Sequence, residues 1–170
     1  LLGVEPKVPT KIPRMTLEEA KKLLAAQGKK YTPDEDLDAE GEKMLSEMVK
    51  EKYHSEFVFV TLFPWKVKPF YQMKAAGKQS ATKSFDLLLN GVEICSGSQR
   101  EHRYDIWKKQ AQEKGLNPDL MKEYGELFLY GCPLHGGAGF GLDRITQRLL
   151  NLDNVREAVL LPRDPVRCAP

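Results

Sequence analysis

The stretch Phe85–Arg100, "FDLLLNGVEICSGSQR", decides how this chain is read. Two β-prone runs flank Asn90-Gly91, a pair favoured in the two-residue type I′ turn of a hairpin. With that pair as the loop, Leu89 faces Val92, Leu88 faces Glu93 and Asp86 faces Cys95. Side chains alternate along a strand. Phe85, Leu87, Leu89, Val92 and Ile94 therefore share one face, which the pattern assigns to the core. Asp86 and Glu93 share the other as diagonal neighbours, with Cβ atoms roughly 7 Å apart. Two carboxylates that close repel unless a cation lies between them, and Mg2+ commonly takes one or two carboxylates together with substrate phosphates. In isolation, two acids on a solvated strand face read the same way.

Outward from the hairpin, "SGSQREHR" adds a Gly kink, the Ser96 hydroxyl and two arginines. Arg100 and Arg103 can each grip a carboxylate or phosphate through paired bonds. His102 and Arg103 also fit the charged first turn of a surface helix. A second unusual stretch is "HGGAGFGLDR", His135–Arg144, with glycines at positions 136, 137, 139 and 141. So many glycines are costly in an ordinary strand end, and they let a flat or charged ligand approach the main chain. Arg144 then falls in the first turn of a helix, where free N–H groups favour an anion. The spacing matches neither the dinucleotide fingerprint nor the phosphate loop.

The remaining elements follow from caps and periodicity. "TLEE" is a capping box from Thr16 to Glu19, opening a helix striped by Leu17, Ala20, Leu23 and Leu24 and leaving at Gly28. A second helix spans Ala39–Tyr53, "EFVFVTLFP" reads as a buried strand, and "WKVKPFYQM" continues as an extended piece. "KAAGKQSATK" reads as a polar loop. Helices are expected near His102–Lys114 and Pro118–Tyr130, then one with Leu142, Ile145, Leu149 and Leu152 inward and Gln147 outward. "VREAVLLPRDP" closes as a strand and turn. Trp65, Phe70 and Tyr71 read as core or rim aromatics, and His54 and His135 as structural. The class is α+β with an antiparallel sheet flanked by helices.

Bulk properties exclude more than they assign. The chain has 170 residues and a formal charge of +2, too small to argue by itself for nucleic acid or membrane. Cys95, Cys132 and Cys168 lie far apart and in no metal-ligand spacing, which fits a reducing, cytoplasmic setting. No run is long enough to span a membrane. Residues 1–15, with Pro6, Pro9 and Pro13, read as a connector from an upstream part, and 16–170 as one partial domain.

Four ordered blocks carry a resemblance: "FPWKVKPFYQM", "FDLLLNGVEICSGSQREHRYD", "GLNPDLMKEYGELFLYGCPLHGGAGFGLDR" and "NVREAVLLPRDPVRCAP". Together they resemble the second half of a class II aminoacyl-tRNA synthetase catalytic domain, and within it the aspartyl-tRNA synthetases of archaeal and eukaryotic cytosolic type. "GAGFGLDR" matches that class's third signature motif. The resemblance implies a sheet holding ATP and aspartate. Glu93 and Ser96 match residues that bind Mg2+ and ATP, and Asp86 a further metal-site acid. Arg100 matches the arginine gripping the aspartate side chain. Gly141, Leu142, Asp143 and Arg144 match the ATP site, with Arg144 on the γ-phosphate.

The implied reaction is adenylate formation followed by transfer of aspartate to tRNA, for aspartate acceptors alone or for aspartate and asparagine acceptors alike, by an enzyme that is dimeric when intact. The family's first two motifs and its anticodon-binding barrel do not occur in these residues, so the chain alone is expected to be a weak or inactive ligase. Asparaginyl-tRNA synthetases and a non-catalytic synthetase-derived binding module are the alternatives; "FDLLLNGVEI" and "PRDPVR" lean towards the aspartate enzymes. One tension stands: strict alternation puts Ser96 on the face opposite Glu93, so the chain must turn near Ser96-Gly97.

Overall fold

A computed structural model describes residues 9–166; the first eight residues of the Pro-rich opening and Cys168 lie outside the described residues. The chain begins with a short strand, β1 (Arg14–Thr16), which the sequence reading did not anticipate. Thr16 then caps α1 (Leu17–Ala26): its Oγ1 accepts from the Glu19 amide at 3.1 Å, while Glu19 Oε2 accepts from the Thr16 amide at 2.7 Å. Asp38 caps α2 (Ala39–Tyr53) by accepting from the Gly41 amide at 2.8 Å. Next comes β2 (Phe57–Thr61).

Two expectations fail in the following segment. Trp65–Met73 is not extended; it winds through turns, touching the sheet through a bridge between Gln72 and Arg100. The supposed polar loop is instead a small hairpin, β3 (Lys74–Ala75) and β4 (Lys78–Thr82), closed by Gly77 at φ +74°. The main hairpin, β5 (Ser84–Leu89) and β6 (Val92–Gln99), turns at Asn90 and Gly91, both at positive φ. Helices α3 (Tyr104–Glu113) and α4 (Lys122–Leu129) follow, the latter preceded by a 3₁₀ turn at Pro118–Met121. Trp107, 1% exposed, is the centre of an aromatic cluster with Phe70, Tyr104, Tyr124 and Phe128.

The glycine stretch forms β7 (Gly136–Phe140), leading directly into α5 (Leu142–Leu149). Among the described residues, the main sheet runs β1-β2-β5-β6-β7, with β1 parallel to β2 and every other pair antiparallel. Both faces carry apolar side chains. Helices α1 and α2 pack Leu17, Leu24, Leu45 and Val49 on Val58, Val60 and Leu88. The opposite face holds a second cluster of Leu87, Leu89, Ile94 and Cys95 with Ile145. The face read as the core is therefore the second cluster, and the acid-bearing face is covered by helices at its β2 end.

Two C-terminal expectations are also corrected. In α5, Gln147 is 8% exposed whereas Leu142 is 73% exposed. The Gln147 amide donates to the carbonyls of Leu152 and Asp153, both at 3.3 Å, and that satisfies its polar group on the inside. "VREAVLLPRDP" is not a strand: Asn154 and Glu157 form a capping box that winds Val155–Ala158 into a 3₁₀ turn.

Candidate active site

The hairpin ladder has a bulge. Leu89 pairs with Val92 and Leu88 with Glu93, as read from the turn, but Leu87 then pairs with Cys95, leaving Ile94 as the extra residue. Asp86 consequently faces Ser96, not Cys95. Paired residues project to the same side of a sheet. The bulge thus brings Ser96 onto the face of Asp86 and Glu93, which resolves the conflict left by strict alternation. No turn at Gly97 is needed; β6 continues to Gln99.

Beyond Ser96 the same face is nearly bare. Gly139 pairs with Ser96, and Gly137 with Ser98. The side chains of β7, Ala138 and Phe140, belong to the opposite face. A methyl group built on Gly139 would meet no atom within 4 Å, so the protein's own packing does not require glycine there. That open floor is room for a ligand.

Arg100 lies at one end of this floor. Its guanidinium carbon sits 4.4 Å from the Tyr71 ring centroid, and a methyl group on Gly137 would come within 3.2 Å of its Nη2. The guanidinium is held between an aromatic face and bare backbone, and has no carboxylate partner among the described residues. Arg103 differs: it is bound to the buried Glu101 carboxylate through Nε and Nη2, both at 2.8 Å, and is therefore committed internally.

The other end is acidic. Asp86 is buried; its Oδ2 accepts from Lys68 Nζ at 2.9 Å, and its Oδ1 has no partner among the described residues. Burial and the neighbouring Asp86 push the Glu93 carboxyl up, against the pull of Arg144. Glu42, from α2, is pushed up to about 7 by burial and then by Glu93, Asp36 and Asp86. Arg144 donates to the Glu93 carbonyl at 3.0 Å and stands 3.9 Å from its carboxylate, with its side chain 53% exposed. It borders a cavity of about 250 Å³ that also touches Glu93, Gly139, Gly141, Asp143 and Val155. Leu142 starts α5 with its side chain outward.

The donors suit a hard divalent cation in chemistry: two carboxylates and a hydroxyl on one face, with one buried carboxylate oxygen left unpartnered. Among the described residues no three His, Cys, Asp or Glu side chains converge on a metal. The protein would then supply one or two carboxylates and a substrate the remaining oxygens. Sequence reasoning missed Lys68, Glu42 and Asp36 as members of this site. It also passed over Tyr71, which it read as a core or rim aromatic.

The site thus lies on a mixed sheet, with a glycine floor and an arginine opening a helix. A family profile, tRNA synthetases class II (D, K and N), matches residues 2–165, and the chain belongs to that family. Among curated relatives it is 46% identical over all of its length to the aspartate–tRNA(Asp/Asn) ligase of Aeropyrum pernix, of which it spans 39%. It is also 46% identical to the aspartate–tRNA(Asp) ligase of Pyrococcus abyssi, covering 98% of this chain and 37% of that one. Among solved structures, aspartyl-tRNA synthetase from Entamoeba histolytica superposes on 98% of this chain and 34% of its own, with TM-score 0.93 and 36% identity. Asparaginyl-tRNA synthetase from Pyrococcus horikoshii covers 95% of this chain and 38% of its own, with TM-score 0.88 and 32% identity. The chain thus spans less than two-fifths of the length of these relatives.

Proposed function

We propose that the chain is the ATP- and aspartate-binding half of an aspartate–tRNA ligase. The observation that carries this reading is a guanidinium with no carboxylate partner among the described residues, Arg100, at one end of a bare glycine floor that has oxygen donors at its other end. Arg100 suits the side-chain carboxylate of aspartate through a bidentate pair. Asp86, Glu93 and Ser96 would hold Mg2+ against the phosphates of ATP, and the cation would supply charge neutralisation there. Gly141, Leu142, Asp143 and Arg144 receive the γ-phosphate end, where the first amides of α5 favour an anion.

In the reaction so arranged, an oxygen of the aspartate α-carboxylate attacks the α-phosphorus of ATP, and the bond to the bridging oxygen breaks to release pyrophosphate. A hydroxyl at the 3′ end of tRNA then attacks the acyl carbon and gives up its proton, the acyl–phosphate bond breaks, and AMP leaves as the aspartyl ester forms. The protein's part is positioning and charge stabilisation. The relatives named as aspartate ligases are 40–46% identical to this chain, which supports aspartate over asparagine. The asparagine enzyme is the second reading, since asparaginyl structures share the fold at 32–34% identity. tRNA for aspartate, or for both aspartate and asparagine, and a second copy of the intact enzyme complete the proposed partners.

Calorimetric titration with Mg-ATP and with non-hydrolysable aspartyl- and asparaginyl-adenylate analogues tests the proposal. The aspartyl analogue should bind roughly tenfold tighter than the asparaginyl one, and Arg100→Gln should remove the preference. Tighter binding of the asparaginyl analogue would turn the reading to the asparagine enzyme, and no binding of ATP or either analogue would sink both. ATP–pyrophosphate exchange by the chain alone should be weak or absent, because the two arginines of this floor, Arg100 and Arg144, are assigned to the aspartate side chain and the γ-phosphate, which leaves the α-phosphate without one.

A further inference from the structure

We propose that Lys68 is the resident counter-cation of the acidic floor, and that by fixing Asp86 it sets how strongly the site takes a divalent cation. The inference rests on the nucleotide-site reading above and deepens it. Lys68 comes from the turn-rich segment after β2, and its side chain is only 11% exposed. Its Nζ lies 2.9 Å from Asp86 Oδ2 and 3.9 Å from Asp36 Oδ2, and 3.7 Å from the centroid of the Phe63 ring. Three segments far apart in sequence are therefore tied through one ammonium: the turn before α2, the segment after β2, and β5. Phe63 gives it an aromatic face in place of water.

The consequence lies in Asp86. One of its oxygens is committed to Lys68, and the other is buried with no partner among the described residues. A buried carboxylate stripped of the one cation paired with it among the described residues is strongly unfavourable. Lys68 holds that carboxylate in place through Oδ2 while leaving Oδ1 available. It also adds a positive charge where a divalent cation would sit, so it weakens cation binding at the same time as it preserves the site. Lys68 is thus a positioning residue: it would act on the substrate's cation through Asp86, and without it the floor must draw its positive charge from solution.

The test uses the chain without nucleotide. Thermal unfolding is followed in EDTA and in MgCl2 for the wild type, Lys68→Met, Lys68→Arg and Lys68→Met/Asp86→Asn, and Mn2+ binding is measured by paramagnetic resonance. Lys68→Met should unfold earlier in EDTA and recover roughly 5 °C on adding MgCl2. It should also bind Mn2+ roughly tenfold tighter than the wild type. Lys68→Arg should behave as the wild type, and the double variant should lose the Mg2+ response. A midpoint for Lys68→Met that is equally low with and without MgCl2, or unchanged Mn2+ affinity, overturns the proposal. If Lys68→Met does not fold in EDTA, refolding in MgCl2 supports it and failure in both overturns it. Binding of Mg-ATP to the wild type separates the two levels. A wild type that binds ATP beside an unresponsive Lys68→Met removes only this inference, whereas a wild type that binds no ATP removes the nucleotide-site reading beneath it.

Discussion

Arg100 lies against Gly137 so closely that a methyl group there would come within 3.2 Å of Nη2 and 3.3 Å of Nε. The atoms in the way belong to the far end of a flexible side chain, so the fold can give where the site cannot. Gly137→Ala should leave the unfolding free energy within about 1 kcal/mol of the wild type. It should nonetheless lift the guanidinium off Tyr71 and weaken the aspartyl-adenylate analogue roughly tenfold. Calorimetry beside denaturant unfolding reads both; equal loss of stability and affinity would show a fold effect only.

Gly139 offers a cleaner separation. An added methyl group there meets nothing within 4 Å, so Gly139→Ala should be neutral or stabilising by up to about 1 kcal/mol through reduced freedom of the unfolded chain. If nucleotide lies over this floor, the same methyl group should cost roughly tenfold in Mg-ATP affinity. Unchanged affinity would move the ligand off β7.

Gly97 faces the other way. A methyl group there would lie 2.6 Å from the Phe85 ring and 2.9 Å from the Ala138 Cβ, with the strand paired on both sides. Gly97→Ala should destabilise by about 1–3 kcal/mol through overpacking. Phe85→Leu in the same chain should recover part of that loss, and a strictly additive pair would refute the contact.

Acid titration follows from Glu42. Its folded-state carboxyl is pushed up to about 7 from an ordinary 4.5, by burial first and then by Glu93, Asp36 and Asp86. The folded chain therefore keeps a proton that the unfolded chain has released. The stability from that proton is full below the unfolded value and is lost as pH rises through about 7. In EDTA, the wild type should lose stability relative to Glu42→Gln between about pH 5 and about pH 8. Glu93 is shifted in the same direction, so Glu42→Gln should remove only part of the slope. A difference that runs the opposite way contradicts the arrangement.

Local chemistry made part of this structure readable. Thr16 and the Asn90-Gly91 turn each satisfy their own backbone neighbours, so their letters carry their geometry. The glycines before Arg144 announced an open floor for the same reason. What stayed hidden depends on partners distant in sequence. Lys68 in "KVKPF" looks like a solvated residue until Asp86, eighteen residues on, closes over it. Glu42 looks like the outer face of α2, yet packing turns it towards Glu93 and Asp86. The terminal "VREAVLL" has strand propensity, but a capping box at Asn154 and Glu157 winds its start into a helical turn. The β3–β4 hairpin had its turn glycine in view, and only its polar flanks disguised it.

Ile94 carries a different kind of information from the residues around it. Its side chain is an ordinary apolar one; what matters is that it occupies a place in the chain without a partner across the ladder. Remove that one place and every residue from Cys95 to Gln99 would exchange sides, sending Ser96 and Ser98 to the wrong face and Cys95 and Gly97 to the floor. This site should therefore accept many substitutions between Glu93 and Cys95 and no deletion at all. For this chain, chain length in β6 is as much a part of the proposed binding chemistry as the identity of its acids.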